Sequence, residues 1–251
     1  MKDVDIFIPC CVDQCKPEIG FDLIALVESM GFNAHYNEEQ TCCSKVLYDN
    51  GNWKEATEVG EKFLDTFSGY NTVVTCSSAC VGYVKNHLAN LFNNTSYHNS
   101  CKNLANRIMD ISEFIHSFRP DCNLGAKFPH KVFLHNNCQS KNYYDVEEEV
   151  RLILGKVEGL TLVNDESCEF CCGYGASMHY YNPPVSNELA RRKVEKAMSL
   201  GAEYITSTDT TCLMQLESYI NKNNLEIKTI HLASLLMDSR KQQNEQLPLA
   251  E

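Results

Sequence analysis

The stretch "EFCCGYGAS" (169–177) sets two adjacent cysteines, Cys171 and Cys172, against a glycine-rich run. Neighbouring cysteines rarely close a disulfide on each other, because the small ring strains both the peptide and the bridge. A second pair, Cys42 and Cys43, stands in "TCCS" (41–44). Working outward from the two pairs, the chain reads as one pattern written twice. The first copy runs "DIFIPCCVDQ", "QTCCSKVLYDNG", "NTVVTCSSACVGYVKNHL"; the second runs "KVFLHNNCQS", "EFCCGYGASMHYYN", "EYITSTDTTCLMQLESYI". In both, an apolar strand ends at a cysteine, a Cys-Cys pair follows, and another strand ends at a last cysteine. Cys10 to Cys42 spans 32 positions and Cys138 to Cys171 spans 33; Cys43 to Cys80 spans 37 and Cys172 to Cys212 spans 40.

Between each pair and the last strand lies a segment of helical periodicity, "EATEVGEKFLDTF" (55–67) and "NELARRKVEKAMSL" (187–200). Earlier helices are predicted over about 18–30 and 146–155, and short strands at "NAHY" and "LTLV" (160–163). Each half therefore predicts strand, helix, strand, Cys-Cys loop, helix, strand, Cys loop, helix. Such alternation implies an α/β fold of two pseudo-symmetric repeats, each a parallel sheet with right-handed crossovers. The cysteines fall at the carboxyl ends of strands, the edge at which open parallel sheets bind ligands. We expect a first repeat with its connector over 1–125, a second over 126–238, and a polar tail over 239–251. The helix-like stretch "CKNLANRIMDISEFIHSF" (101–118) falls in the connector.

The chain has 251 residues, 14 cysteines, 43% apolar residues and a net charge of −11. This is a globular composition. An acidic surface repels phosphates, so neither nucleic acid nor anionic lipid is an expected partner. "MKDVDIFIPCC" lacks the basic start of a secretory signal, and no apolar run reaches the roughly 18 residues that span a bilayer. We expect a cytoplasmic protein with no direct membrane insertion. In a reducing compartment, so many cysteines point to metal ligation or redox chemistry before disulfides.

Four converging thiolates suit zinc or an iron–sulfur cluster. The two paired Cys-x-x-Cys knuckles of the usual zinc signature are not present. Adjacent cysteines diverge, which suits two metals of a larger cluster better than one small ion. Gly173 and Gly175 are expected to let the backbone approach such a cluster and offer N–H groups to it.

The segments "CCVDQCKPEIG" (10–20), "QTCCSKVLYDNG" (40–51), "HNNCQ" (135–139), "CCGYGAS" (171–177) and "CLMQ" (212–215) carry a resemblance. The chain resembles the CCG, or cysteine-rich, domain family over about residues 1–238. That family includes the cysteine-rich subunit of heterodisulfide reductase, the iron–sulfur subunits of glycolate and anaerobic glycerol-3-phosphate dehydrogenases, and the lactate-utilisation protein A branch, which it resembles most. The resemblance implies two cluster sites, Cys10, Cys42, Cys43 and Cys80 in one, Cys138, Cys171, Cys172 and Cys212 in the other. It implies iron–sulfur clusters, two of the four-iron type, with zinc in one half as the alternative. Two departures bear on cluster type. The terminal Cys-x-x-Cys is missing, with Cys76-x-x-x-Cys80 in one half and Thr208 opposite Cys76 in the other. Ser44 also replaces the glycine of the first motif.

By resemblance the chain is an electron-transfer subunit of a multi-protein oxidoreductase that oxidises L-lactate to pyruvate. It would act with a ferredoxin-like iron–sulfur protein and a lactate-utilisation protein C type partner. The alternatives are a thiol–disulfide redox subunit like that of heterodisulfide reductase, or a zinc-binding structural or assembly subunit. No phosphate-loop or dinucleotide fingerprint, and no Ser-His-Asp or Cys-His set, stands out. Cys76 is a candidate fifth donor, and Cys11 and Cys15 flank the first site. Cys168 is a candidate spare thiol near the second, while Cys101 and Cys122 read as incidental. His135 either meets a cluster sulfur or caps a strand end. Asp13 and Pro17 read as turn and helix-start residues, Tyr180 and Tyr181 as a surface loop, and Trp53 as core.

Overall fold

Along the first strand, β1 (Lys2–Phe7), side chains alternate between two interiors. Val4 and Ile6 enter one core and Phe7 another, the period of two that a pleated strand imposes. The computed structural model describes residues 2–120, 124–163 and 171–237. After β1 come α1 (Cys10–Cys15), α2 (Pro17–Ser29), β2 (Phe32–Tyr36), α3 (Lys45–Asp49), α4 (Trp53–Thr66), β3 (Thr72–Thr75), α5 (Ser78–Asn86), α6 (Tyr97–Ala105), β4 (Ile108–Asp110) and α7 (Ile111–Phe118). The second half holds β5 (Lys131–Leu134), α8 (Cys138–Tyr143), α9 (Glu147–Leu154), β6 (Thr161–Leu162), α10 (Met178–Tyr181), α11 (Pro183–Ser199), β7 (Tyr204–Ser207), α12 (Thr210–Lys222) and β8 (Lys228–His231).

The two sheets have the same order, β2-β1-β3-β4 and β6-β5-β7-β8, and every pairing is parallel. Helices make the crossovers that parallel neighbours require. The fold is therefore α/β in two repeats, as the doubled motif predicts.

Three apolar clusters hold it together. Phe7 and Val73 face Phe63, Leu64 and Val84 on one side of the first sheet. Phe133 and Ile205 face Ala190, Val194 and Leu216 on the outer side of the second. The third cluster belongs to both halves: Val4, Ile6 and Val74 share it with Val132 and Leu134, and Leu23, Phe114, Val150 and Leu235 fill it. Burial on this scale, at about 25 cal/mol per Å² of apolar surface, holds the sheets in a fixed relation.

Three expectations need correction or completion. The helix-like run 101–118 is broken into α6, β4 and α7. Ile108 pairs with Val73, and Asp110 then caps α7 by accepting from the N–H groups of Ser112 and Glu113. The "DISE" capping pattern lies within the run. Trp53 is not core: it opens α4 and is 64% exposed, because that helix buries Ala56, Gly60, Phe63 and Leu64 instead. Short helices, α1 and α8, begin at Cys10 and Cys138, where the sequence pattern predicts loops. Cys122, Cys168 and the expected tail lie outside the described residues. Among the described residues, no helix is long and apolar enough to cross a membrane.

Candidate metal centre

In each sheet the strand order reverses between the first and third strands, β1 and β3 or β5 and β7, and their carboxyl ends bound the crevice that such a switch opens. Cys10 and Cys138 begin the helices after β1 and β5. Cys80 and Cys212 lie in the first turns of α5 and α12. Those turns are fixed by caps: Ser77 accepts from the Cys80 N–H, and Asp209 accepts from the N–H groups of Thr211 and Cys212. A thiolate in a first helical turn faces the positive end of the helix dipole. The Cys-Cys pairs come in on the segments that precede α3 and α10.

The eight cysteines gather as two quartets with the same internal order. In the second, the sulfurs of Cys138 and Cys171 are 4.0 Å apart, Cys171 also meets Cys172, and Cys172 meets Cys212. In the first, Cys42 meets Cys10 and Cys43, and Cys43 meets Cys80. Exposure runs in parallel at three of the four positions, the fourth setting half-buried Cys80 against buried Cys212. Cys10 and Cys138 are open to solvent, Cys42 and Cys171 half-buried, and Cys43 and Cys172 buried. Two thiols are primed for ionisation. Hydrogen bonds from the Cys10 and Cys43 thiols hold Cys42 down to about 3, helped by the Ser44 N–H. Bonds from Cys138 and Cys172 hold Cys171 down to about 2, helped by the Gly173 N–H at 3.3 Å. Their neighbours Cys10, Cys43, Cys138 and Cys172 are pushed up by the same thiol contacts and by burial. A metal that accepts all four thiolates of a quartet would relieve that competition.

Both quartets open into one cavity of about 320 Å³. Cys11, Lys45, Tyr174 and Asp209 also line it. The wall between the halves is a polar seam. The Ser78 and Thr208 hydroxyls are 2.8 Å apart, Asn137 Nδ2 donates to Ser78 at 2.8 Å, and Ser77 donates to Asp209 at 3.4 Å. Repeat alignment places Ser77 opposite Asp209, so the two helix caps meet across the pseudo-twofold relation. Lys45 is the cation at this seam. Burial works against its charge, but Asp49 at 2.5 Å, Cys80 and Asp209 outweigh it and hold its pKa above the usual lysine value.

The residues after the pairs explain Ser44. Gly173 has φ +92°, and Ser44, its counterpart, has φ 72°. Both turns need the left-handed region that glycine enters most easily. At Gly173 no side chain fits, since a Cβ would lie 2.3 Å from the Ser186 carbonyl oxygen. Ser44 is instead accommodated: its buried hydroxyl is 2.9 Å from the Tyr83 hydroxyl. The replaced glycine therefore leaves the turn intact. Gly173 itself is demanded by contact with α11, besides offering its N–H to sulfur.

His135 stands next to the second quartet. Its ring, Cys172 and Cys212 bring potential ligand atoms within 4.8 Å of one another. Both ring nitrogens are buried, with no hydrogen-bond partner among the described residues. Burial and then the positive charge of Lys193 hold its pKa down to about 3, so the ring is neutral. Strand register puts His135 where the first half has Phe7.

Other candidates fall away from the cavity. Cys76 is fully buried in the shared core, and its carbonyl accepts from His231 Nε2 at 3.0 Å. Cys15 is exposed and Cys101 is buried in α6. Pro17 opens α2 as expected, and Tyr180 and Tyr181 are exposed on the short α10. Sequence reasoning misses Lys45, Ser77 and Asp209. The alignment of "TCSSAC" with "STDTTC" holds the signal for the two caps. The site's chemistry fits a thiophilic metal group: two sulfur quartets, backbone N–H groups of Gly173 and Tyr174 aimed at the sulfurs of Cys171 and Cys172, and an orphaned imidazole.

The sequence profile described as "Cysteine-rich domain" (CCG) matches the chain twice, over residues 4–85 and 132–217. The chain belongs to the CCG cysteine-rich domain family. One match falls on each repeat, and together they take in most of the chain. Lactate utilization protein A 1 of Bacillus mycoides is 28% identical over 241 residues, which cover 95% of this chain and 98% of that protein. Lactate utilization protein A of an Exiguobacterium species is 28% identical over 244 residues, 96% of this chain and 100% of its own length. Among solved structures, a hypothetical protein from Helicobacter pylori superposes with a TM-score of 0.60 at 12% identity, over 95% of this chain and 49% of that one. That likeness shows a shared fold, in which this chain spans about half of the longer protein.

Proposed function

We propose that the chain is an iron–sulfur electron-transfer subunit of a multi-protein oxidoreductase, the system that oxidises L-lactate to pyruvate. The observation that carries this reading is the pair of equivalent thiol quartets facing one cavity. Cys10, Cys42, Cys43 and Cys80 would hold one four-iron cluster, and Cys138, Cys171, Cys172 and Cys212 the other. Such clusters, when bound, accept and release single electrons. The chain's own part is to supply thiolates, to set potentials through the N–H groups of Gly173 and Tyr174 and the charge of Lys45, and to bury one end of each quartet while leaving Cys10 and Cys138 at the surface. The exposed end is where an electron would enter or leave. The substrate class rests on the names of the relatives. The partners would be a ferredoxin-like iron–sulfur protein and a lactate-utilisation protein C type protein, in the cytoplasm.

The test is reconstitution. Anaerobically purified chain, mixed with those two partners and L-lactate, should bleach in the visible region, and the bleaching should need all three proteins. No bleaching with lactate, in protein that dithionite does bleach, would remove the lactate assignment. One observation favours a second reading, zinc in the second half: His135, Cys172 and Cys212 form a mixed nitrogen–sulfur set of the kind zinc accepts.

A further inference from the structure

The two quartets repeat the same order of sulfurs, but a side chain beside their buried ends differs between the halves. The first half places Phe7 there, and that ring packs edge-on against Phe63 at 4.9 Å and Phe67 at 5.7 Å. The second half places His135 at the same register. Its backbone N–H is used in the sheet, donating to the Thr206 carbonyl at 2.8 Å. Among the described residues, its ring has no such use. A neutral imidazole carries one lone pair and one N–H, and leaving both unpaired in a fully buried position is unfavourable. An apolar residue would serve there, as Phe7 does. The ring lies within 4.8 Å of the sulfurs of Cys172 and Cys212, the two buried members of the quartet.

We propose that His135 is a metal ligand of the second centre, so that the first centre is bound by sulfur alone and the second by sulfur and an imidazole nitrogen. This rests on the assignment of the second quartet as a metal-binding site. One ring nitrogen would take the metal, which accounts for an orphaned atom that no apolar residue could explain. Exchange of a thiolate environment for one with a neutral nitrogen raises the potential of an iron–sulfur centre. The two centres of one chain would then differ in potential, with the second the higher.

The experiment uses the full chain, purified anaerobically with the metal it carries, from cells supplied with 15N-histidine. If it carries iron, pulsed EPR of the dithionite-reduced protein should show a directly bound histidine nitrogen. That signal should change with the isotope and vanish in His135→Phe, while the first-centre signal stays. If it carries zinc alone, the electron-transfer reading fails, but the inference is still read from absorption at the zinc edge. There, a nitrogen at about 2.0–2.1 Å should accompany sulfurs at about 2.3 Å and be lost in His135→Phe. A sulfur-only shell, or a nitrogen signal that survives the substitution, overturns the inference for either metal. The wild-type isotope measurement stands even if His135→Phe folds poorly, and His135→Gln provides the polar control.

Discussion

Gly173→Ala is the substitution whose effect follows most directly from the geometry of the Cys-Cys turn. The new Cβ would sit 2.3 Å from the Ser186 carbonyl oxygen, 3.1 Å from its carbon and 3.2 Å from Leu189 Cβ. The first two atoms are backbone of α11, which cannot swing aside as a side chain can. Alanine at φ +92° adds a left-handed strain of about 1–3 kcal/mol. Relieving the clash means moving the turn away from α11, an overpacking cost of about 1–3 kcal/mol. It also endangers the buried bond from Ser186 Oγ to the Gly173 carbonyl at 2.7 Å, worth about 1 kcal/mol. The sum is about 3–7 kcal/mol, centred on about 5, in the exceptional tail of single substitutions. Ser44→Gly is the counterpart in the first half. It relieves about 1 kcal/mol of backbone strain and loses a hydroxyl bond to Tyr83 of similar worth, so the net change should lie within about 1 kcal/mol. Urea unfolding of the full chain, followed by circular dichroism, measures both. A Gly173→Ala protein within about 1 kcal/mol of wild type would refute the reasoning.

Cys171→Ser or Cys172→Ser should remove the second centre and leave the first, so that bound metal falls to roughly half with unfolding of neither repeat; full metal content in both variants would sink the ligand assignment. Asp110 is fully buried and burial lifts its pKa from 3.8 to about 6. The folded pKa lies above the unfolded one, so its contribution to stability is complete below about pH 3.8 and lost as pH rises through about 6. Asp110→Asn keeps a capping side chain without the charge and should stabilise the protein by about 3 kcal/mol at pH 7.5 but scarcely at pH 3.5. Unfolding curves at the two pH values check it, and an equal effect at both would refute it. Lys45→Met removes the cation beside Cys42, Cys80 and Cys212. Centres held by those thiolates should then become harder to reduce, and a redox titration that shows no shift to more negative potential would count against that role.

Much of the fold is legible because the chain states it twice. The strands "TVVT" and "YITS" and the helices α4 and α11 follow from apolar spacing, and repetition resolves what one copy leaves ambiguous. β4 is hidden because Leu104, Ile108, Ile111 and Ile115 keep a helical spacing straight through it; only sheet pairing with Val73 breaks the run. Trp53 misleads because a large aromatic at a helix start can face either way, and the direction is decided by Phe63 and Leu64 further along. The eight cysteines are readable from their doubled order. Their meeting in one cavity is not, since it depends on how two sheets share a core. Nor are Lys45 and the Ser77–Asp209 contact, which exist only across the seam. His135 is visible as a residue, but its missing partners can be known only from the packing around it.

The central claim is that each quartet holds an iron–sulfur cluster. Iron and acid-labile sulfide, counted on protein never exposed to air, with EPR before and after dithionite, test it most directly. Two four-iron clusters require about eight irons and eight sulfides per chain, with a signal that depends on reduction. Zinc with neither iron nor sulfide, and no signal in either state, would contradict the claim.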